Sequence, residues 1–137
     1  MQRTLAIIKP DCVRSNSIGA VISRIERRFR IIGMKMLKLS KEEAKRFYIV
    51  HSGKPFYDSL TDFMSSGPVV AMVLEGDNVI EEFRQFMGAT DPKNAEKGTI
   101  RREFGTNIEE NAIHGSDSEE AAGFEINFFF SDLELVR

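Results

Sequence analysis

The stretch VVAMVL, residues 69–74, is the strongest strand signal in this sequence, and the other predicted elements are arranged around it. Its six residues are all apolar, three of them are β-branched valines, and SSGP at 65–68 separates them from whatever precedes. A run of this length and composition after turn residues predicts a β-strand. Because neither face is polar, we expect a central strand that is covered on both sides, or covered on one side and buried in an interface on the other.

Strand and helix patterns continue on both sides of this stretch. Ser40 with Glu43 has the spacing of a capping box and predicts a helix to about residue 50, and Asp77 is predicted to cap an amphipathic helix. Residues 88–105 look irregular, and a connection of that length in a small domain is typical of a functional loop. The other predicted elements are strands at 4–10, 34–39 and within 111–116, and helices at 18–29, 55–64 and 117–130.

The order of these elements predicts the fold class. Along the chain it is strand, helix, strand, two helices, strand, helix, long loop, short strand and helix. Without the extra helices this is β-α-β-β-α-β, the order of the ferredoxin-like α+β domain, in which helices pack on an antiparallel sheet. We therefore expect residues 1–137 to form a single domain of this class. Such domains include enzymes, RNA-binding modules and regulatory domains, so the fold alone does not define a function.

Composition narrows the possible functions. The 137 residues are 42% hydrophobic, which is enough to form one hydrophobic core. The net charge of −2 shows no excess of cations that would bind the nucleic acid backbone non-specifically. No apolar run approaches the roughly 18 residues of a membrane span, and the N-terminus does not resemble a leader, so we expect a cytoplasmic protein without a membrane partner. The lone Cys12 excludes an internal disulfide. Its thiol is either activated by nearby Lys9 or, as we favour, a small packing residue at a strand end.

Common nucleotide and hydrolase motifs are absent. The chain has no G-x-x-x-x-G-K-[ST], no G-x-G-x-x-G and no G-x-S-x-G, and its two histidines lie too far apart in sequence to predict a zinc site. What remains are cations and hydroxyls able to bind phosphate, at Lys9, Arg84, Thr90, Thr99, Arg101 and Arg102. Any one of them is ordinarily a solvated side chain. Lys9 stands out because it directly follows a buried strand.

Aromatic residues leave a similar choice open. Phe56, Tyr57 and Phe63 are able to stack on a nucleobase, although aromatic residues at helical spacing more often belong to a core. Tyr48, at the end of a predicted helix, has the same two interpretations.

The segment NAIHGSDS at 111–118 contains one of the two histidines, His114. Gly115 permits the close approach of a ligand, and the following S-D-S opens a helix whose dipole favours an anion. Imidazole near its pKa is a competent nucleophile, and surrounding cations would balance a phosphoryl group that it accepts. The residues alone thus indicate an anion or phosphoryl site at His114 and leave a purely structural histidine as the alternative.

The same segment resembles the active-site segment of the nucleoside diphosphate kinases, N-x-x-H-G-[ST]-D. The resemblance extends over essentially the whole chain in several independent blocks, and the family has the ferredoxin-like fold. Its members exchange the terminal phosphate between nucleotides by a ping-pong route. The blocks are IIKPD at 7–11, FY at 47–48, KPFY at 54–57, SGPVVAMVLEG at 66–76, GATDP at 88–92 and GTIRREF at 98–104.

This resemblance implies a phosphotransferase in which His114 attacks the γ-phosphate of a nucleoside triphosphate, mainly ATP. The phosphohistidine then passes the group to a nucleoside or deoxynucleoside diphosphate, which balances nucleotide pools. Three cations on the equatorial oxygens suit the loose transition state of phosphoryl transfer. The resemblance assigns phosphate and sugar contacts to Lys9, Arg84, Thr90, Arg101 and Asn111.

It also implies supporting roles around the nucleotide. Phe56 stacks on the base, and Leu60 and Ile108 close the slot by apolar contact. Tyr48 supports Lys9 and the transferring phosphate. The remaining two implied residues, which orient the imidazole, are Ser116 and Glu125.

The resemblance further implies a Mg²⁺ ion held mainly by the nucleotide phosphates, with no metal ligand from protein side chains. It implies a homo-oligomer, a tetramer or hexamer built from dimers. Nucleic acid is not expected as the main ligand.

Two other classes of function compete with the phosphotransferase. One is a ferredoxin-like RNA- or DNA-binding module, which the acidic composition and the lack of a basic, aromatic strand disfavour. The other is a relative that binds nucleotide without turnover. The complete set of implied site residues, including His114, disfavours that one.

Overall fold

Four antiparallel strands form the sheet of the computed structural model, which describes residues 1–136. Their spatial order is β2-β3-β1-β4, and the predicted antiparallel sheet with helices packed on it is confirmed. The strands are β1 (Gln2–Ile8), β2 (Arg30–Leu37), β3 (Val69–Gly76) and β4 (Ile113–Gly115). The α-helices in this part of the chain are α1 (Pro10–Arg14), α2 (Ile18–Glu26), α3 (Lys41–Phe47), α4 (Tyr57–Met64), α5 (Val79–Met87), α6 (Ile100–Phe104) and α7 (Glu119–Phe129).

Strand β3 lies at the centre of the sheet, as its unbroken apolar run predicted. It pairs with β1 on one side and β2 on the other, and residues 69–74 are all buried. Alternate side chains enter two separate cores, because successive residues of a strand point to opposite faces. One core contains residues of α3 and α7, and the other contains residues of α2 and α5. The expectation of a strand covered on both sides is therefore confirmed.

Several predicted boundaries need correction. Strand β1 spans Gln2–Ile8 rather than 4–10, and Pro10 begins α1, a helix that the sequence did not predict. Proline suits the first turn of a helix because the backbone N–H that it lacks is unpaired there anyway. The capping box of Ser40 and Glu43 is present, yet α3 ends at Phe47 and a 3-10 turn follows at Ile49–His51. The N-cap of α5 is Asn78 rather than Asp77.

The long segment 88–105 is more regular than predicted. It contains a 3-10 turn at Pro92–Asn94 and helix α6, so Arg101 and Arg102 lie on a helix and not in a loop. Thr99 caps α6 by accepting a hydrogen bond from the backbone N–H of Arg102. The five residues of α6 are too few to produce a helical periodicity that is readable in the sequence.

The segment that leads into β4 makes a strained turn. Ala112 has a φ of 77°, and the backbone N–H of Ile113 donates to the carbonyl of Asn111 at 2.9 Å, which closes a γ-turn. Such a turn costs on the order of 1–3 kcal/mol and persists when its surroundings hold it. The Ala112 carbonyl accepts from the backbone N–H of Lys9 at 2.9 Å, so the turn joins the end of β1 to the start of β4.

No helix within residues 1–136 combines the length and the apolar character that crossing a bilayer requires.

Two glycines near the site are expected to respond in opposite ways to alanine. A Cβ on Gly123 in α7 meets nothing within 4 Å, so Gly123→Ala should raise the free energy of unfolding by about 0.5–1 kcal/mol through helix propensity. A Cβ on Gly115 would lie 2.8 Å from side-chain atoms of Phe83 and Met87, so Gly115→Ala should lower it by about 1–3 kcal/mol. Urea titration of both variants measures the shifts. Equal shifts would contradict this account of the two positions.

Candidate active site

A cavity of about 1260 Å³ opens beside the end of the sheet where β1 and β4 meet α1 and α7. Its position follows from the strand pairing: Ile7 of β1 lies opposite His114 of β4, and Lys9 follows β1 directly. Except for Ser116, every residue that the resemblance singled out lines the cavity. They are Lys9, Tyr48, Phe56, Leu60, Arg84, Thr90, Arg101, Ile108, Asn111, His114 and Glu125.

A carboxylate orients the imidazole of His114 by contacting its Nε2 atom. Its Nε2 lies 2.9 Å from Oε1 of Glu125, and the same oxygen accepts a hydrogen bond from the Ser116 hydroxyl at 2.8 Å. That hydroxyl in turn accepts from the backbone N–H of Leu5 at 3.1 Å. Ser116 is fully buried and therefore contacts Glu125 rather than the imidazole or the cavity. A neutral imidazole that donates its Nε2 proton to Glu125 carries its lone pair on Nδ1.

Two aromatic rings fix the plane of that imidazole. Phe47 lies edge-on to His114 with ring centroids 5.5 Å apart, and Tyr48 does the same at 6.1 Å. Both side chains are buried at the end of α3. The ring therefore has restricted freedom even before a ligand is present, a condition that favours nucleophilic attack from one direction.

Lys9 is a buried cation tied to the segment that precedes His114. Its Nζ donates to Oδ1 of Asn111 at 2.8 Å, and Nδ2 of Asn111 donates to the carbonyl of Thr90 at 3.0 Å. Burial lowers the pKa of Lys9 to about 8; the charge of Arg101 lowers it as well, while Asp11 and Glu109 oppose the shift. Lys9 thus remains largely protonated at neutral pH. Burial of this charge costs free energy, which the charge of an anionic ligand would offset.

Arg101 supplies a second, partly buried cation. Its two terminal nitrogens donate to the carbonyls of Gly88 at 3.1 Å and Ile113 at 3.0 Å. Burial, and after it the neighbouring charge of Arg84, lower the pKa of Arg101 to about 10. Arg84 itself is exposed on α5 at the cavity wall. The three cations therefore converge on one region, although they lie far apart in the sequence.

Three buried polar atoms of residues that line the cavity lack a partner within residues 1–136. One is Nδ1 of His51, beside Phe56, and the other two form a pair of donors, the hydroxyl of Tyr48 and Nε of Arg101. Burial raises the pKa of Tyr48, and the negative charge of Glu125 raises it further, so the phenol stays protonated and able to donate. Buried donors are normally satisfied, and such a pair beside Lys9 is suited to an anion with several oxygens.

The other end of the cavity is apolar. The ring of Phe56 is 45% exposed and Ile108 is 62% exposed, while Leu60 is half-buried on α4. Exposed apolar side chains on two facing segments leave a slot that suits a flat ring.

Several residues that line the cavity carry little functional signal in the sequence. Phe47 contacts the imidazole, but in the sequence it is only part of the FY block at 47–48, to which the resemblance assigns no role for Phe47. His51 lies with its ring 5.3 Å from Phe56 and was considered only as a metal ligand. Glu109 and Asp117 also line the wall. Asp117 stands in the quoted NAIHGSDS segment, where it was treated as part of a helix cap; a position three residues after His114 is the one signal that was available for it.

Other candidates from the sequence lie outside this arrangement. Tyr57 and Phe63 pack in or against the core, and Arg102 donates to the carbonyl of Ala95 at 3.2 Å. Thr99 serves as the cap of α6. Cys12 is fully buried, and burial raises the pKa of its thiol to about 11, so the alternative of an activated thiol is wrong and the packing interpretation is confirmed.

No cluster of three or more His, Cys, Asp or Glu side chains suited to a metal ion occurs within residues 1–136. The acidic groups of the cavity wall are instead dispersed among Asp91, Glu109, Asp117, Glu120 and Glu125. A nucleophilic nitrogen, three convergent cations and an apolar slot together suit a ligand that has both a polyanionic end and a flat apolar end.

Known proteins are similar to this chain in sequence and in architecture. The sequence model of the family described as nucleoside diphosphate kinase matches residues 2–135. The nucleoside diphosphate kinase of Persephonella marina is 56% identical to this chain, covering 100% of the chain and 99% of that protein. That of Geobacter sulfurreducens is 57% identical, covering 99% and 100%.

Solved structures agree with the sequence comparison. The Aquifex aeolicus nucleoside diphosphate kinase superposes with a TM-score of 0.95 at 47% identity, covering 98% of this chain and 99% of that one. A halophilic nucleoside diphosphate kinase from Halobacterium salinarum, solved in complex with CDP, superposes with a TM-score of 0.94 at 43% identity, covering 99% and 91%. Both the sequence and the fold show that the chain belongs to the nucleoside diphosphate kinase family.

Proposed function

We propose that this chain transfers the γ-phosphate of a nucleoside triphosphate, mainly ATP, to a nucleoside or deoxynucleoside diphosphate, with His114 carrying the phosphate between the two half-reactions. Membership of the family supports this activity and its ping-pong route. The observation that carries the role of His114 is the 2.9 Å contact between its Nε2 and Glu125, inside a cavity that is also lined by Lys9, Arg84 and Arg101. Such a contact leaves Nδ1 as the nucleophilic atom.

In the first half-reaction, the Nδ1 lone pair forms a bond to the γ-phosphorus while the bond from that phosphorus to the β-phosphate oxygen breaks. The nucleoside diphosphate leaves with the electron pair of the broken bond. The imidazole becomes positively charged, and the carboxylate of Glu125 stabilises that charge through Nε2. In the second half-reaction an oxygen of the acceptor's terminal phosphate attacks the same phosphorus, and the imidazole leaves as the neutral ring.

The cations supply the electrostatic part of catalysis. Negative charge spreads over the three equatorial oxygens in a loose transition state, and Lys9, Arg84 and Arg101 are placed to balance it. The protonated hydroxyl of Tyr48 adds a donor without adding charge. Lys9 and Arg101 are held by hydrogen bonds to a side chain and to backbone carbonyls before a ligand arrives, so these two cations need little reorganisation.

The nucleoside occupies the apolar end in this proposal. Phe56 stacks on the base, Leu60 and Ile108 close the slot, and Thr90 and Asn111 contact phosphate and sugar. Stacking is tolerant of base identity because every base has a π-face. A slot that reads no hydrogen bonds at the base edge has little means of rejecting a wrong base, so purines and pyrimidines are both substrates.

Mg²⁺ enters this proposal with the nucleotide, held mainly by its phosphates. The cavity fits that arrangement, because its buried groups are cations rather than a carboxylate cage, and a bare divalent ion would be repelled while a metal–nucleotide complex would not. When bound, the ion neutralises part of the phosphate charge. No side chain of the chain is required as its ligand.

The remaining proposals concern the whole chain. We infer that residues 1–137 form one domain of the family, supported by the match over 2–135, and that the protein acts in the cytoplasm. We also infer a homo-oligomer, a tetramer or hexamer built from dimers. Support comes from β2 at the edge of the sheet, where Met34 and Met36 are 53% and 57% exposed on one face. Large apolar side chains on an edge strand are suited to pairing with a second chain.

The test of the phosphate carrier is incubation with γ-labelled ATP followed by analysis of the protein. We expect a phosphoenzyme that is stable to base and labile to acid, and that GDP or dCDP discharges. His114→Ala should acquire no label because the nucleophile is gone, while nucleotide binding persists through Lys9, Arg101 and Phe56. Stable nucleotide binding without label transfer in the unaltered protein would reject the kinase and favour a relative that binds without turnover.

The lowered pKa of Lys9 predicts a pH dependence. Below a pH of about 8 the free enzyme holds Lys9 protonated. Above it the charge is lost, so kcat/KM for ATP should fall about tenfold per pH unit. In the complex the phosphates favour the charged amine, and kcat should therefore decline only at higher pH.

Lys9→Arg provides the control for this assignment, because a guanidinium stays charged across the range. Its kcat/KM should lack the inflection near pH 8, whatever its absolute rate. An inflection retained in this variant would assign the titration to another group.

The edge strand predicts where the oligomer is built. Replacing Met34 and Met36 together with lysine should convert the assembly to monomers, because two charges would be buried in the pairing surface. Size-exclusion chromatography with light scattering measures the mass. Leu133→Lys, at an exposed apolar residue outside the sheet, is the matched control and should leave the mass unchanged.

A further inference from the structure

The two walls of the apolar slot belong to separate parts of the chain. Phe56 and Leu60 stand at the start of α4, whereas Ile108 stands in the segment between α6 and β4. Neither Phe56 nor Ile108 is held by the core, since both are largely exposed. The width of the slot therefore depends on what joins these walls.

One hydrogen bond joins them directly. The hydroxyl of Ser59 donates to Oε2 of Glu109 at 2.8 Å. Ser59 immediately precedes Leu60 on α4 and lies one helical turn after Phe56, and Glu109 immediately follows Ile108. The bond thus links the residues next to the slot on both walls.

The α4 wall is anchored on its far side. The hydroxyl of Tyr57 donates to the carbonyl of Lys45 at 2.7 Å. Lys41 on α3 forms ion pairs with Asp58 and Asp62 of α4. Helices α3 and α4 are therefore tied to each other, and the Ser59 contact adds a restraint on the side of α4 that faces the slot.

The facing wall is a tight turn with its own hydrogen bonds. Oδ1 of Asn107 accepts from the backbone N–H groups of Glu109 at 3.0 Å and Glu110 at 2.8 Å. The backbone N–H of Thr106 donates to the carbonyl of Glu110 at 2.7 Å. Ile108 and Glu109 are thus presented together by a preformed loop, so the Ser59 contact positions Ile108 as well.

We infer that the Ser59–Glu109 hydrogen bond is a latch that sets the separation of the two walls and so prepares the slot for a nucleobase. Both are positioning residues, and the inference rests on the proposed use of this slot by the base. The latch orders the slot before binding and so reduces the ordering that binding would otherwise require. The bond lies apart from the hydrogen bonds that hold Lys9 and Arg101 at the phosphate end. Since the charge of Glu109 raises the pKa of Lys9, Ser59→Ala, which keeps that charge, is the variant that isolates the latch.

Ser59→Ala and Glu109→Ala each remove the latch. Each should raise KM for ATP and Kd for ADP by roughly three- to tenfold, the worth of one exposed hydrogen bond, and leave kcat within about twofold. The double variant should be no weaker than either single one, because both remove the same contact. Glu109→Gln keeps an oxygen that accepts from Ser59 and should restore most of the affinity.

Glu110→Ala is the matched control. It removes the same charge from the same turn, but its carboxylate faces Arg14 at 3.9 Å and not α4. Its KM and Kd should equal those of the unaltered protein. An equal loss in Glu110→Ala and Glu109→Ala would overturn the latch in favour of a general effect of charge, and unchanged KM and Kd in Ser59→Ala would overturn it as well.

A donor without a base separates this inference from the proposed activity. Phosphoramidate carries a transferable phosphoryl group but no base, so it should phosphorylate His114 at the same rate in Ser59→Ala as in the unaltered protein. A slower reaction in Ser59→Ala would show damage at the phosphate end and overturn the inference. If ATP leaves the unaltered protein without label, the kinase proposal fails, whereas calorimetric titration with ADP still decides whether the latch sets affinity.

Discussion

The register between β1 and β4 is the constraint on which the site depends. Ile7 lies opposite His114, and Lys9 follows one residue after Ile8. The nucleophile and the most buried cation are therefore brought to the same end of the sheet by backbone pairing alone. A slip of one residue would turn His114 to the opposite face of the sheet. The pairing resists such a slip because β1 is buried on both faces, between β3 and β4.

The electrostatics of the cavity oppose folding and favour binding. Lys9 and Arg101 are buried near each other, and burial is the largest cause of the lowered pKa of each. Lys9 finds a neutral partner in Asn111 rather than a carboxylate, and Nε of Arg101 has no partner within residues 1–136. Buried charges without an opposite charge lower the free energy of unfolding when no ligand is bound. Ionisable groups with strongly shifted pKa values concentrate at functional sites. The polyphosphate of a nucleotide supplies the negative charge that Lys9 and Arg101 lack among their hydrogen-bond partners in the protein.

The sequence was informative where a pattern was long and local. The run at 69–74 identified the central strand, and Ser40 with Glu43 marked the start of α3. It was uninformative for α6, which contributes only Ile100 and Phe104 to the core and is otherwise held by the Thr99 cap and by the hydrogen bonds of Arg101 and Arg102. Residue types alone did not reveal that Lys9, Arg84 and Arg101 converge, since that depends on tertiary packing. The resemblance to a family supplied that grouping, but not Phe47 or Glu109, which act through shape and position.

The hydrogen bonds behind His114 also have a consequence for how long its orientation lasts. Ser116 bonds Glu125 through its hydroxyl and exchanges bonds with the backbone of Leu5, both through that hydroxyl and through its own N–H. An exposed carboxylate changes rotamer within nanoseconds. Here Glu125 accepts a hydrogen bond from Ser116, which is itself bonded to the amide of a buried strand, so Glu125 changes rotamer only by breaking its contacts with both Ser116 and His114. The orientation of the imidazole therefore lasts longer than that of an exposed side chain.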